Sequence, residues 1–149
     1  VRAQFPFGIP AHGTVRARAY LILGSQGTVS TEANWVMDNL APFGHMDEPG
    51  DSVEPNTEVT IRGWALDNRA VTSIEAVIDE SIHVPLTYGT SRPDVDAVWP
   101  NYPGNDMVGF TGSHDFGPAD ECPHLLEIVA TDSDGNSRTI WNSLVTVED

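Results

Sequence analysis

The chain has 149 residues, with seven arginines and no lysine against 22 acidic residues, a net charge of −15 and a sequence pI near 4.3. A surface this acidic repels nucleic-acid phosphates and anionic lipid, which argues against both as partners. No run approaches the ~18 apolar residues of a membrane-spanning helix, so membrane insertion is not expected either.

That length suits one domain of ordinary size plus an appendage. Gly, Pro, Asn and Asp punctuate short runs throughout, and no stretch sustains a helical period, so the expected class is all-β. The chain opens on Val1 with no charged-then-apolar leader, and a processed product or an excised fragment is expected. Residues 1–13 hold two prolines and two glycines and read as an extended segment. Residues 14–37 read as a β-hairpin arm: Thr14–Leu23, a Gly24–Gly27 turn, then Thr28–Met37. Val15, Ala17, Ala19 and Leu21 share one face of the first strand, and Val29, Ala33 and Trp35 fall together on the second. A lone two-stranded hairpin is marginal in water, so this arm must join its own sheet or a neighbour's.

Residues 38–43 form a linker stiffened by Pro42, and residues 44–149 read as a complete small β-sandwich. A short edge strand begins near His45 and Met46 and ends at the Glu48-Pro-Gly50 turn. Val59–Leu66 is a strand with Val59, Ile61, Gly63 and Ala65 on one side and Arg62 and Trp64 on the other. Val71–Asp79 and Ile82–Tyr88 follow as the next two strands. Residues 89–109 then form a long irregular stretch with three prolines, and such loops are functional or specially packed. Phe110–Phe116 is a short strand. His124–Thr131, the Asp132–Asn136 turn and Arg138–Val147 make the closing hairpin.

The charge is uneven along this plan. Residues 1–43 carry Arg2, Arg16 and Arg18 against Glu32 and Asp38, whereas residues 44–149 carry four arginines against twenty acids. The near-neutral arm can therefore approach such a body at little electrostatic cost.

Five motifs stand in order: Ala41-Pro-Phe-Gly44, Gly63-Trp-Ala-Leu-Asp67, Tyr88-Gly-Thr-Ser-Arg-Pro-Asp-Val95, Gly109-Phe110, and His124-Leu-Leu-Glu-Ile-Val-Ala-Thr-Asp-Ser-Asp-Gly-Asn136. Together they resemble a bacterial immunoglobulin-like repeat of secreted and cell-surface proteins, over residues 41–149. The resemblance implies an immunoglobulin-like β-sandwich, an extracellular or cell-surface setting, and a role in spacing, adhesion or assembly. It carries no catalytic residues. The repeat here has no cysteine pair, so its core is expected to pack around residues such as Trp64. The arm is similar, less closely, to the closing hairpin of the same repeat: Gly13-Thr-Val-Arg-Ala-Arg-Ala parallels the approach to Leu125-Leu-Glu-Ile-Val-Ala.

Catalytic chemistry is not expected. The sequence lacks a nucleophile elbow, HExxH, a phosphate loop and CxxC, and its five histidines (His12, His45, His83, His114, His124) fall in five segments. No cofactor is implied. The lone Cys122 is expected to be a small buried apolar residue, with an intermolecular bridge as the alternative. Asp132, Asp134 and Asn136 bring oxygen-bearing side chains to alternate positions, as calcium loops do. They lack the distal glutamate of an EF-hand and serve hairpin-turn geometry equally well, which leaves calcium a weak candidate and no other metal. Arg92 lies near Trp99 and Tyr102 in the long loop and makes a candidate ligand site, for instance for glycans. The competing reading is that the rings pin the loop to the sandwich while Arg92 pairs with an acid.

The expected function is an extracellular structural subunit. Its arm would donate or add a strand to the next copy, and such head-to-tail contacts propagate into a filament or array. A carbohydrate- or ligand-binding adhesion module and a passive spacer are the alternatives.

Overall fold

The structure, a computed structural model, describes residues 23–27, 29, 40–119 and 122–148. The chain divides into two units, Val1–Ala33 and Asn34–Asp149. In the first unit Gln26, Gly27 and Val29 are helical, and the Val29 amide donates to the Ser25 carbonyl at 2.9 Å. This corrects the expected hairpin turn and strand start: a four-residue-back hydrogen bond holds Val29 in a helical turn, not in an extended strand. The other expected arm residues, Val15, Ala17, Ala19, Leu21, Ala33 and Trp35, lie outside the described residues.

The second unit is built from β1 (Phe43–Glu48), β2 (Ser52–Val53), β3 (Glu58–Leu66), β4 (Val71–Ile78), β5 (Ile82–Thr90), helix α1 (Pro93–Val98), β6 (Gly109–Asp115), β7 (His124–Asp132) and β8 (Ser137–Val147). Strands neighbour in the order β1-β3-β6-β5-β4-β7-β8-β2. All pairs are antiparallel except β2 with β8, which run parallel. β5 serves both halves of this order: Ile82–Leu86 pair with β4, and Thr87–Thr90 pair with β6 across a bulge. The result is the immunoglobulin-like β-sandwich that the body sequence predicts. Among the described residues no helix is long and apolar enough to cross a membrane.

Alternation along the strands builds the core. Ile61 and Ala65 of β3, Ile74, Ala76 and Ile78 of β4, Leu86 of β5, Phe110 of β6, Leu126, Ile128 and Ala130 of β7, and Val145 and Val147 of β8 are buried in one cluster. Each such Ile, Leu or Val contributes about 1.5–3 kcal/mol relative to exposure. The ring of Phe110 sits where Gly63 leaves space: a Cβ at Gly63 would lie 2.6 Å from Phe110 Cζ and press on the His45 carbonyl. The β4–β5 connection is a three-residue hairpin loop, Asp79–Ser81, in which Asp79 and Glu80 take φ of 50° and 57° and Ser81 N–H donates to the Ile78 carbonyl at 3.1 Å.

Three expectations need correction here. Trp64 is not the centre of the core. Its alternation phase puts it opposite Ile61, Gly63 and Ala65, so it packs half-buried in a second cluster with Leu66, Val95 and Val108. Residues 89–109 are not irregular throughout, because Pro93–Val98 form a helix. Proline near its start pre-sets the helical φ, and Asp94 and Asp96 in the first turn suit the positive end of the helix dipole. Cys122 is exposed, in the connection ahead of β7, and is not a buried core residue.

Candidate functional site

The long loop is held down by aromatic rings. Phe43 of β1 meets Trp99 at a centroid distance of 5.2 Å, Tyr102 at 5.3 Å and Trp64 at 6.0 Å, all edge-on. Trp99 and Tyr102 meet each other at 5.8 Å. Such edge-to-face contacts satisfy the ring quadrupoles. Both expected ligand-loop rings are therefore half-buried against the sandwich. This is the pinning arrangement, and it leaves no flat platform of the two rings for a sugar. Phe43, which organises the cluster, was placed in the linker by sequence; its role appears only when β1 and the loop come together.

Arg92 is separate from those rings in function. Its guanidinium makes a two-pronged contact with Asp94 at 2.9 and 2.7 Å and donates to Asp47 of β1 at 2.5 Å. The arginine thus ties the β5–α1 junction to the edge strand. Hydrogen bonds from Arg92 pull the Asp94 carboxyl down to about 2. The Asp94 hydrogen bond in turn pushes Arg92 above its usual value, against an opposing contribution from burial. Gly109 makes room for this crossing, since a Cβ there would lie 2.9 Å from Arg92 Cγ. Beside the clasp is a cleft of about 490 Å³ lined by Asp47, Arg62, Thr90, Ser91, Arg92 and Thr111 among others. Arg62 is itself occupied by Glu48 at 2.9 Å. The cleft therefore offers paired charges rather than a free cationic surface.

The Asp132–Asn136 turn spends its carboxylate on the backbone. Asp132 is 3% exposed; its Oδ1 accepts the Asp134 and Asn136 amides at 2.8 Å each, and its Oδ2 accepts Asn136 Nδ2 at 2.8 Å. Burial pushes its pKa up, but the bonds from Asn136, Asp134 and Gly135 outweigh this and leave it lowered. Asp134 lies 3.6 Å from Arg69 Nε. Asp132, Asp134 and Asn136 thus act together as a turn, not as three ligands facing a shared centre. Among the described residues no group of three or more His, Cys, Asp or Glu side chains is disposed to hold a metal.

The same end of the sandwich holds a second buried carboxylate. Asp67, directly after β3, is also 3% exposed. Its Oδ1 accepts the Arg69 amide at 2.8 Å, while its Oδ2 and the neighbouring Asn68 Oδ1 are buried without a hydrogen-bond partner. Burial raises the Asp67 pKa against the Arg69 backbone bond, and the charge of Asp132 raises it further. Tyr88, whose hydroxyl donates to the Ala65 carbonyl at 2.9 Å, is pushed up to about 12 by burial and by the charge of Asp67. Tyr102 is raised by the same two causes. A turn reading of Asp-Asn explains Oδ1; nothing local to the sequence flags the unsatisfied Oδ2.

The strand histidines are engaged structurally. His83 Nδ1 lies 3.1 Å from Glu75 and His124 Nδ1 lies 2.7 Å from Asp79. Asp79 also accepts the Leu125 amide at 2.9 Å, and the His124 hydrogen bond holds its carboxyl below the usual range.

No protein-family model matches the chain, and no curated protein matches it. Solved structures similar to it include the following two. Fibronectin(III)-like modules of CbhA from Clostridium thermocellum align at 16% identity over 72% of this chain and 46% of theirs, with a TM-score of 0.45. A superoxide reductase (neelaredoxin) from Ignicoccus hospitalis aligns at 13% identity over 85% of this chain and all of its own, also with a TM-score of 0.45. This chain spans less than half of the first. The class of protein, an all-β immunoglobulin-like sandwich, is defined by its own strand order and register.

Proposed function

We propose that this protein is an extracellular, non-catalytic structural module that assembles head-to-tail through main-chain pairing at a sheet edge. The observation that carries the reading is the position of β1: a six-residue strand at one end of the order, bonded to β3 on one side. An edge strand of that length offers a row of backbone donors and acceptors to an incoming strand. The proposed donor is the apolar-faced ribbon that alternation predicts, with Val15, Ala17, Ala19 and Leu21, which lie outside the described residues. The helical turn at Gln26–Val29 removes Val29 from it, and the donor ends before that turn. Arg16 and Arg18 on the opposite face of the ribbon suit an acidic acceptor, and the resemblance over residues 41–149 supports the extracellular setting. Size-exclusion chromatography and negative-stain imaging of the intact chain, beside a chain beginning at Leu40, test this. Concentration-dependent multimers of the intact chain, absent after truncation, are expected. Identical monomeric elution of both at ~100 µM would overturn it.

A further inference from the structure

The clasp that holds the long loop also walls the cleft beside it, and that cleft carries hydrogen-bonding groups the fold does not use. Its volume of about 490 Å³ lies within the roughly 300–1,000 Å³ of small-molecule sites. Arg62 of β3 and Thr111 of β6 stand opposite each other in the ladder, on the face turned from Ile61 and Phe110. Thr90 of β5 is opposite Gly109, and a Cβ on that glycine would strike the Thr90 hydroxyl and lie 2.9 Å from Arg92 Cγ. The missing side chain of Gly109 therefore makes room for two of the lining residues.

Arg62 spends its Nη2 on Glu48 Oε1 at 2.9 Å, which leaves Nε–H and Nη1–H unspent. The hydroxyls of Thr90 and Thr111 bond to no protein group among the described residues. Asp47 gives Oδ2 to Arg92, and its Oδ1 has only His45 Nδ1 beside it, at 3.5 Å, beyond ordinary hydrogen-bond length. A ligand can reach these groups: the Arg62 and Asp47 side chains are 58% and 35% exposed, and both threonines are half-buried. The charges around the cleft nearly cancel, since Arg62 and Arg92 meet Glu48, Asp47 and Asp94. An anion would face three carboxylates and a cation two guanidinium groups, whereas a neutral ligand meets neither cost. A hydroxyl group both donates and accepts, so it matches Arg62, Asp47 and the threonines alike. We propose that this cleft binds a neutral, hydroxyl-rich ligand, a sugar unit of an uncharged glycan, through Asp47, Arg62, Thr90 and Thr111. Trp99 and Tyr102 take no part, because both are packed on Phe43. Without a ring to stack on, the sugar is held by hydrogen bonds won in competition with water, and a Kd of about 1 mM is expected. The inference goes beyond head-to-tail assembly and does not depend on it.

The test is a titration of the intact, ¹⁵N-labelled chain with glucose, galactose, mannose, N-acetylglucosamine, maltose and cellobiose, followed by amide chemical shifts, with glucuronate as the anionic counterpart of glucose. A saturable response to at least one neutral sugar is expected below about 20 mM, with shifts centred on residues 47, 62–63, 90–92 and 110–111. Glucuronate should bind no more tightly than glucose. Thr111→Val and Arg62→Gln should each weaken the response about fivefold or more, with Tm within a few degrees of the parent chain. If one variant does not fold, the other is read alone. Absence of a saturable shift with every neutral sugar would overturn the proposal, as would shifts centred elsewhere or undiminished binding in the folded variants. Tighter binding of glucuronate than of glucose would overturn it too, since the cleft would then be an anion site.

Discussion

At the scale of single residues, the consequential positions are those where the fold leaves no room or no partner. Gly63 is the first kind. Its missing side chain admits the Phe110 ring and the β1 backbone, which cannot yield as a flexible side chain would. Gly63→Ala is expected to destabilise by about 1–3 kcal/mol, the range for forcing a methyl group into a packed core, as read by chemical denaturation. Asp67 and Asp132 are the second kind, and they respond to pH in opposite senses. The folded-state pKa of Asp132 lies below that of an unfolded aspartate, about 3.9. Its contribution is therefore present at neutral pH and is lost as pH falls through the lowered value. Asp79 behaves in the same way. Asp67 is raised, so it opposes folding at neutral pH, and that opposition fades as pH falls through its folded value. Tm should rise slightly on mild acidification and then drop below about pH 4. Asp67→Asn should abolish the rise and keep the drop.

At the scale of elements, the 89–109 loop is held by two devices of different chemistry. One is apolar: Phe43, Trp99 and Tyr102 edge-on around Val95 and Val108. The other is ionic: Arg92 bridging Asp94 and Asp47. The rings carry more of the stability, because the ion pairs are partly solvated and such pairs contribute about 0–1 kcal/mol each. Trp99→Ala is expected to cost about 2–4 kcal/mol, somewhat below the range for a fully buried ring. Arg92→Ala should cost less than Trp99→Ala and act locally. Amide exchange should quicken around residues 91–96 and in β1 near Asp47, with the Ile128 and Leu126 amides unchanged. Equal losses from the two substitutions would contradict this division.

At the scale of the molecule, the described residues from 40 onward hold a buried core of their own. This core runs from Met46 to Val147. A chain beginning at Leu40 should therefore unfold cooperatively, with a Tm within a few degrees of the intact chain. Loss of folding on this truncation would mean that the N-terminal segment completes the sandwich of its own body rather than reaching a neighbour. The charge contrast suits docking of the near-neutral segment on an acidic body in cis and in trans alike. If copies assemble as proposed, added salt should favour assembly, because it screens the repulsion between bodies of net −16 more than the attraction of a segment of net +1.

The sequence alone determined what repeats at short range. Period-two alternation in β3, β4 and β7 located the strands and their buried faces, and the Asp132-Ser-Asp-Gly-Asn136 turn was legible because its geometry is satisfied within five residues. Alternation also placed Trp64 opposite Ile61, but only the tertiary structure showed that this face is covered by the long loop rather than by the core. The same holds for Phe43, for the crossing of Arg92 to Asp47, and for the two-residue β2, whose parallel pairing with β8 has no local signature. The helical turn at Val29 was missed because a short run of Ser, Gln, Gly and Thr satisfies a turn or a helix start equally well. The stranded oxygen of Asp67 was invisible for a different reason. Local sequence can show which groups a side chain is able to bond, but whether a bond is left unmade depends on burial, and burial is decided by residues distant along the chain.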